Sequence, residues 1–246
     1  MIEIVPGIYA LPGLKTGRSY LIRDRDGLAL IDTSTEGCAD KIIAAISDLG
    51  CRPADLHTII ATHYHFDHIG NVAALVAASG AQLCVHADDA PYVEARVPWP
   101  PATGALGVVT KRTVPEQRAL KVDRILHDGD TLPLAGGVQI VHAPGHTPGH
   151  IALYAPNRRV LFAGDALMNI GGLRLPIAAA SHDMAQARRT LVQLAGLDVD
   201  VALQGMVHRS SVARARSSAR GCRRGCGRSA YSPIWASLKE GANGLT

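Results

Sequence analysis

The sequence predicts an α/β fold in which two sheets are flanked by helices. Three observations carry that expectation. The chain has 246 residues and 47% apolar content, enough for one substantial core in one large domain or two small ones. Its apolar residues are mostly Ala, Val, Ile and Leu, with only 4% aromatics, as layered α/β folds favour. The order of elements runs strands–helix–strand–helix and then strands–helix–strand, which suits two sheets each covered by helices.

Short alternating strands fit Ile2–Val5, Ile8–Leu11, Ser19–Arg23 and Leu28–Asp32, with turns at Pro6-Gly7 and Asp26-Gly27. Apolar spacing at Ile42, Ile43, Ile46 and Leu49 predicts a helix over Ala39–Leu49, stopped by Gly50. "HTIIAT" reads as a buried strand running into "HYHFDH". Asp67–Ala78 is expected to be a helix ended by Gly80, and "QLCVHA" the next strand. From Asp88 to Asp123 the text is irregular and carries "VPWPPATGALG", too rich in Pro and Gly for a core element. It is expected to run over a pocket, with Tyr92, Arg96, Trp99, Lys111 and Arg112 as lining or as an exposed loop face. Strands resume at Gly137–His142, Ile151–Tyr154 and Arg159–Ala163. Ser181 is expected to cap a helix through Leu194, and Val199–Leu203 is the last strand.

Composition excludes several classes. No run of about 18 apolar residues exists to span a membrane. "MIEIVPGIYAL" has neither a basic n-region nor an apolar h-region, so a cytoplasmic location is expected. Of the five cysteines, Cys38, Cys51 and Cys84 are read as thiols in a reducing compartment rather than a disulfide framework. The net charge is +4, but from Arg209 onward there are seven Arg and one Lys against one Glu. The main body is therefore slightly acidic, and nucleic acid is not an expected partner.

"THYHFDH" is the informative motif. His63 and His65 are two apart on a segment leaving a strand, so their rings project to the same side. Asp67 and His68 follow at a helix start, where a turn can point both back at the same place. Three imidazoles and a carboxylate form a borderline-soft donor set suited to Zn²⁺, at a strand end where α/β sites are built. "HAPGHTPGH" adds His146 in a turn after a strand. "VLFAGDAL" adds Asp165 at the end of another apolar run, where an unpaired carboxylate would be costly and a metal removes the cost. His150 either supports the His146 turn or simply packs. Tyr64 and Phe66 are expected to pack beneath the loop. His57, His86, His127, His142 and His182 are read as surface or strand-end residues.

"HYHFDH", "GHTPGH" and "FAGD", in this order and at these gaps, resemble the metallo-β-lactamase superfamily over about residues 1–205. The resemblance implies a four-layer αββα sandwich with the site at the sheet edges. It implies one metal held by His63, His65 and His146, a second held by Asp67 and His68, and Asp165 bridging the two. Two Zn²⁺ per chain are the family pattern, with Mn²⁺ or Fe²⁺ as other occupants. A metal-bound hydroxide would attack an ester, thioester or lactone carbonyl of a small-molecule substrate, with Asp67 also assigned a catalytic role. The bridging aspartate is similar to that of the glyoxalase II and lactonase branches. A mono-iron persulfide dioxygenase uses similar ligands and is an alternative.

The resemblance also implies a histidine in a Gly-His-Gly turn after the last strand. This chain has Gly205-Met206-Val207-His208 there, and a neutral thioether is a poor ligand for Zn²⁺. His208 is two residues late and could serve as a weak substitute only if the loop rearranged. Residues 206–246 are rich in Arg, Gly and Ser without periodicity, expected to be a disordered or poorly packed tail. Met206-Val207 is ATG-GTN in the genetic code. Read one base earlier it becomes NAT-GGT, which spells His-Gly if Gly205 ends in C. In the same frame each Cys of "RGCRRGCGR" can read Leu, which gives two leucines at helical spacing. The end of the chain is thus compatible with a frameshift near Gln204, and with a catalytically impaired form of the enzyme.

Overall fold

The structure, a computed structural model, describes residues 1–104, 107, 114–169, 173–205 and 213–214. Among these, the N-terminal half forms a seven-stranded sheet in simple chain order: β1 (Ile2–Val5), β2 (Ile8–Ala10), β3 (Tyr20–Asp24), β4 (Gly27–Ile31), β5 (Leu56–Ile60), β6 (Gln82–His86) and β7 (Arg124–Leu126). The first four are antiparallel neighbours. The pairs β4–β5, β5–β6 and β6–β7 are parallel, because the chain returns through α1 (Ala39–Asp48), then α2 (Phe66–Ile69) with α3 (Val72–Ser79), then α4 (Ala90–Val93) and the long irregular excursion.

The second sheet has the spatial order β15 (Ala213–Arg214), β14 (Val201–Gln204), β11 (Val160–Gly164), β10 (Ile151–Ala155), β9 (Val138–His142) and β8 (Thr131–Leu132). A small hairpin, β12 (Met168–Asn169) with β13 (Leu173–Arg174), leads to α5 (Met184–Ala195). The crossover through α5 makes β14 parallel to β11.

Alternation along the strands separates the layers. Ile22, Ala29, Ile31, Ile60 and Cys84 face Ile140, Leu153, Phe162 and Leu203 of the other sheet and form the central core. Their neighbours Leu21, Leu28, Leu30, Ile59, Leu83 and Val85 turn the other way, onto Ile42 and Ile46 of α1 and Val72 and Leu75 of α3. Ala152, Tyr154, Leu161 and Ala163 meet Leu191 and Leu194 of α5. The result is the expected helix–sheet–sheet–helix stack. Tyr20 and Phe162 meet edge-on across the sandwich at 5.5 Å between ring centres. The Tyr20 hydroxyl donates to the Gln204 carbonyl at 2.8 Å, tying the two sheets at the end that carries the site.

Two of the expected elements take a different form, and α4, β7, β8 and the β12–β13 hairpin form where no element is expected. The single helix expected over Asp67–Ala78 is broken into α2 and α3 at Gly70-Asn71. Asn71 Oδ1 accepts the Cys38 amide, its Nδ2 donates to the carbonyls of Thr33 and Thr35, and its backbone amide donates to Thr33 Oγ1, so the residue is committed to the 33–38 loop. A Cβ on Gly70 would lie 2.7 Å from Ser34 O and 2.5 Å from Glu36 N, so the close approach requires glycine. The second difference is the cap of α5. Asp183, not Ser181, is the N-cap, with Oδ1 accepting from the amides of Ala185 and Gln186 at 2.8 and 2.9 Å. The tail expected from residue 206 lies outside the described residues except at 213–214, as do Lys111 and Arg112.

Candidate metal centre

The segment 61–69 leaves β5 at the end of the sandwich. Its two-residue period sends His63 and His65 to one side and Tyr64 to the other. Tyr64 is buried in the outer core and stacks on Tyr92 of α4 with ring centres 4.5 Å apart. Phe66 opens α2, whose first turn holds Asp67 and returns His68 to the cluster. The ring of His63 lies 4.7 Å from that of His65 and 4.0 Å from that of His68.

The other sheet supplies the remainder. The turn between β9 and β10 brings His146 to 4.8 Å from His63 and 4.6 Å from His65, ring centre to ring centre. Gly145 in that turn packs against the first turn of α5: a Cβ there would lie 2.3 Å from Ala187 N. Asp165 follows β11. Its Oδ1 is 3.5 Å from His68 Nε2 and its Oδ2 is 3.7 Å from His146 Nε2, so one carboxylate reaches towards both.

Hydrogen bonds fix the ring orientations. Thr62 Oγ1 donates to Asp32 Oδ2 at 2.8 Å and lies 3.0 Å from His63 Nδ1, which is left to donate to it. Ser181 Oγ donates to Ile177 O and lies 3.0 Å from His146 Nδ1, which donates in turn. His68 Nδ1 donates to Asp32 Oδ2 at 2.8 Å. Three Nε2 atoms, of His63, His68 and His146, are therefore turned inward and buried, and like Asp165 Oδ1 they have no hydrogen-bond partner among the described residues. Buried polar atoms without partners are costly, and divalent cations held among them would satisfy them. Ligand atoms of His63, His65 and His146, and separately of His63, His68 and Asp165, lie within 4.8 Å of one another. Imidazole nitrogens with a carboxylate fit a borderline-soft divalent ion.

Electrostatics agree with that fit. Burial, together with the neighbouring imidazoles, holds His63 and His146 well below the ordinary value and so keeps them neutral. Burial lowers His65 to about 4. His68 is the exception: burial opposes its charge, but the carboxylates of Asp32 and Asp165 outweigh it and push the ring up to about 10. Burial raises Asp165, with His68 pulling the other way. Without a cation, a protonated His68 thus sits between two carboxylates.

The structure brings together His63, His65, His68, His146 and Asp165. Asp67 stands beside them with a half-buried side chain, and no donor cluster among the described residues includes it. His150 is fully buried, and its Nε2 accepts the Asp165 amide at 3.0 Å, so it supports the Asp165 turn rather than the His146 turn. His208 lies outside the described residues. A third donor group, His86, Asp88 and His142, is outside the site. There His86 Nδ1 already accepts the Asp88 amide, and His142 Nε2 sits 2.8 Å from Pro148 O. His86 is the last residue of β6, at the strand end expected of it, and is buried rather than on the surface.

Sequence reasoning missed four supporting residues. Asp32, after the apolar run "LALI", carries the same signal that marks Asp165. It is buried in a left-handed conformation (φ 57°) and binds Thr62 N, Thr62 Oγ1 and His68 Nδ1. Asp89 is the second of two aspartates after "QLCVHA", of which Asp88 is exposed and Asp89 buried. Ser181 and His182 carry no local signal: His182 Nε2 lies 2.9 Å from the Tyr64 hydroxyl, and its amide donates to His146 O.

Residues 12–205 match the family model described as "Metallo-beta-lactamase superfamily". The "Probable metallo-hydrolase YflN" of Bacillus subtilis (strain 168) is 28% identical over 82% of this chain and 84% of its own. The hydroxyacylglutathione hydrolase of Rhodobacter capsulatus is 32% identical over 80% of this chain, which spans only 62% of that protein. Among solved structures, a metallo-beta-lactamase family protein from Thermus thermophilus superposes with TM-score 0.66 at 25% identity, over 84% of this chain and 75% of that one. BJP-1, a subclass B3 metallo-beta-lactamase of Bradyrhizobium japonicum, superposes with TM-score 0.63 at 27% identity, over 83% and 76%.

Proposed function

This chain belongs to the metallo-β-lactamase superfamily, and we propose that it is a metal-dependent hydrolase of an ester, thioester or lactone. The observation that carries the proposal is the convergence of inward-facing, unpartnered donors from both sheets on one point. Relatives named hydroxyacylglutathione hydrolases, whose substrate name denotes an acyl thioester, favour the thioester among these.

His63, His65 and His146 would hold one ion, and His68 with Asp67 a second, with Asp165 shared between them. A divalent cation there, Zn²⁺ or alternatively Mn²⁺ or Fe²⁺, supplies Lewis acidity and brings the ionisation of water towards neutral pH. The protein's own residues do the rest. Burial keeps the three imidazoles neutral, so their lone pairs are available near pH 7. Thr62, Ser181 and Asp32 hold the ring orientations. Cleavage breaks the acyl–sulfur or acyl–oxygen bond, and the leaving group needs a proton. Asp67, half-buried in the first turn of α2, would take a proton from the attacking water and pass it to the leaving sulfur or oxygen. Free thiols at Cys38, Cys51 and Cys84 suit the reducing cytoplasm.

The test is an assay of the purified chain with added Zn²⁺ or Mn²⁺ against thioester, lactone and ester substrates. Turnover that is lost in His65→Ala supports the proposal. Turnover unaffected by that substitution, or oxygen uptake with iron and a persulfide in place of hydrolysis, overturns it.

A second reading is favoured by one observation. Gly205 packs against Asp165 and His68, its Cβ position lying 2.1 Å from Asp165 Oδ1, and the next residue in sequence is Met206. A ligand for the second ion is absent from that position, so the chain as written would be an impaired form. Joint Met206→His and Val207→Gly substitution should then raise turnover and the number of bound ions. Codons for Gln204 to His208 that cannot encode Gly-His-Gly in the shifted frame would remove the frameshift explanation.

A further inference from the structure

Asp89 lies just past β6, at the same end of the sandwich as the donor cluster, and is fully buried. A carboxylate so placed costs several kcal/mol unless its oxygens are satisfied. Three donors do this, and they come from two distant loops. Oδ2 accepts the Tyr64 amide at 3.1 Å and the Thr147 hydroxyl at 2.7 Å. Oδ1 accepts the Gly149 amide at 2.6 Å. Burial pushes the carboxyl up to about 7, and the three hydrogen bonds pull the other way.

The identity of these partners matters. Tyr64 stands between His63 and His65, Thr147 follows His146, and Gly149 precedes His150. One side chain therefore spans both segments that carry the first donor triad. Gly149 permits the approach, since a Cβ there would lie 2.3 Å from Asp89 N and 2.8 Å from Asp89 Oδ1. Asp89 also begins the turn that places Tyr92 under the Tyr64 ring. Tyr64 is thus held by its backbone from Asp89 and by its ring from Tyr92, which leaves His63 and His65 directed the opposite way.

We infer that Asp89 is a positioning residue of the metal centre, whose carboxylate sets the spacing between the 63–65 and 146–149 segments and thereby the affinity of the His63–His65–His146 triad for a divalent cation. The inference rests on the reading of that triad as metal ligands.

The test is Asp89→Asn in the full chain. Asparagine keeps the volume and one acceptor oxygen but turns an amide group towards donors. Zn²⁺ affinity is measured by competition with a chromogenic chelator, the Co²⁺ absorption spectrum is recorded, and melting is followed with and without Zn²⁺. The expected result is an affinity about 10-fold weaker, an altered Co²⁺ spectrum and a smaller rise in melting temperature on adding Zn²⁺. Thr147→Val removes one of the three bonds and should shift affinity in the same direction by less. A role confined to folding would lower the melting temperature of the metal-free protein and leave affinity and spectrum unchanged, and that result overturns the inference. If Asp89→Asn does not fold, a wild-type affinity in Thr147→Val overturns it. If the unsubstituted chain binds neither ion, the metal-centre reading falls and this inference with it. Equal tight binding by wild type and Asp89→Asn sinks this inference alone.

Discussion

Asp32 Oδ2 lies 2.8 Å from His68 Nδ1, with both side chains shielded from solvent. The pair turns the other ring nitrogen towards Asp165. Asp32→Asn keeps the left-handed backbone accessible, since asparagine tolerates positive φ, but it replaces one acceptor oxygen with a donor. Hydrolytic kcat/KM at saturating Zn²⁺ should fall about 10- to 100-fold while the circular dichroism spectrum is retained. Wild-type activity in this variant would contradict the role given to Asp32.

Acid should weaken the metal-free protein. His63 and His146 are held well below 6.5 and His65 at about 4, so the unfolded chain takes up protons first as pH falls. Stability is expected to drop as pH goes from about 6.5 to about 4. His68 acts in the opposite sense: raised to about 10, its contribution is complete below 6.5 and is lost as pH rises through 10. Urea midpoints of the metal-free protein at several pH values check both arms, and a flat profile would refute the assignment.

Gly145→Ala should damage the His146 turn. Gly145 has φ 127°, and an added Cβ would meet the Ala187 backbone at 2.3 Å. Neither the backbone conformation nor the neighbour can give cheaply, so the expected loss is about 3 kcal/mol. Thermal melting would show it as a drop of roughly 6–12 °C for a chain of this size.

Removing metal should lower stability reversibly. With free ion a hundredfold above its dissociation constant, the bound state gains about 2.7 kcal/mol. Chelation should then lower the melting temperature by roughly 5–11 °C, and added Zn²⁺ should restore it. No change on chelation would mean that the unpartnered nitrogens hold no ion.

The donor cluster is largely legible in the sequence because His63, His65 and His68 are local in the chain and their spacing already fixes their direction. His146 is legible from its Gly- and Pro-rich turn after a strand, and Asp165 as a carboxylate closing an apolar run. Asp32 also closes an apolar run and Asp89 is the second of two aspartates after one, yet their roles depend on partners 25 to 60 residues away, which spacing does not reveal. The break between α2 and α3 has a local signal in Gly70-Asn71, between the apolar Ile69 and Val72, but what enforces it is tertiary: the bonds of Asn71 and the close approach of Gly70 to the 34–36 backbone. At the start of α5, Asp183 with Gln186 three residues on carries a better local capping signature than Ser181 does.

Because His63, His65 and His68 arise from one sheet and His146 and Asp165 from the other, neither half of the polypeptide owns a complete coordination shell. Fragments divided between β7 and β8 would each be chemically inert alone. Reunion of the two pieces, and nothing short of it, would reconstitute the centre, so metal capture reports on the docking of the two halves.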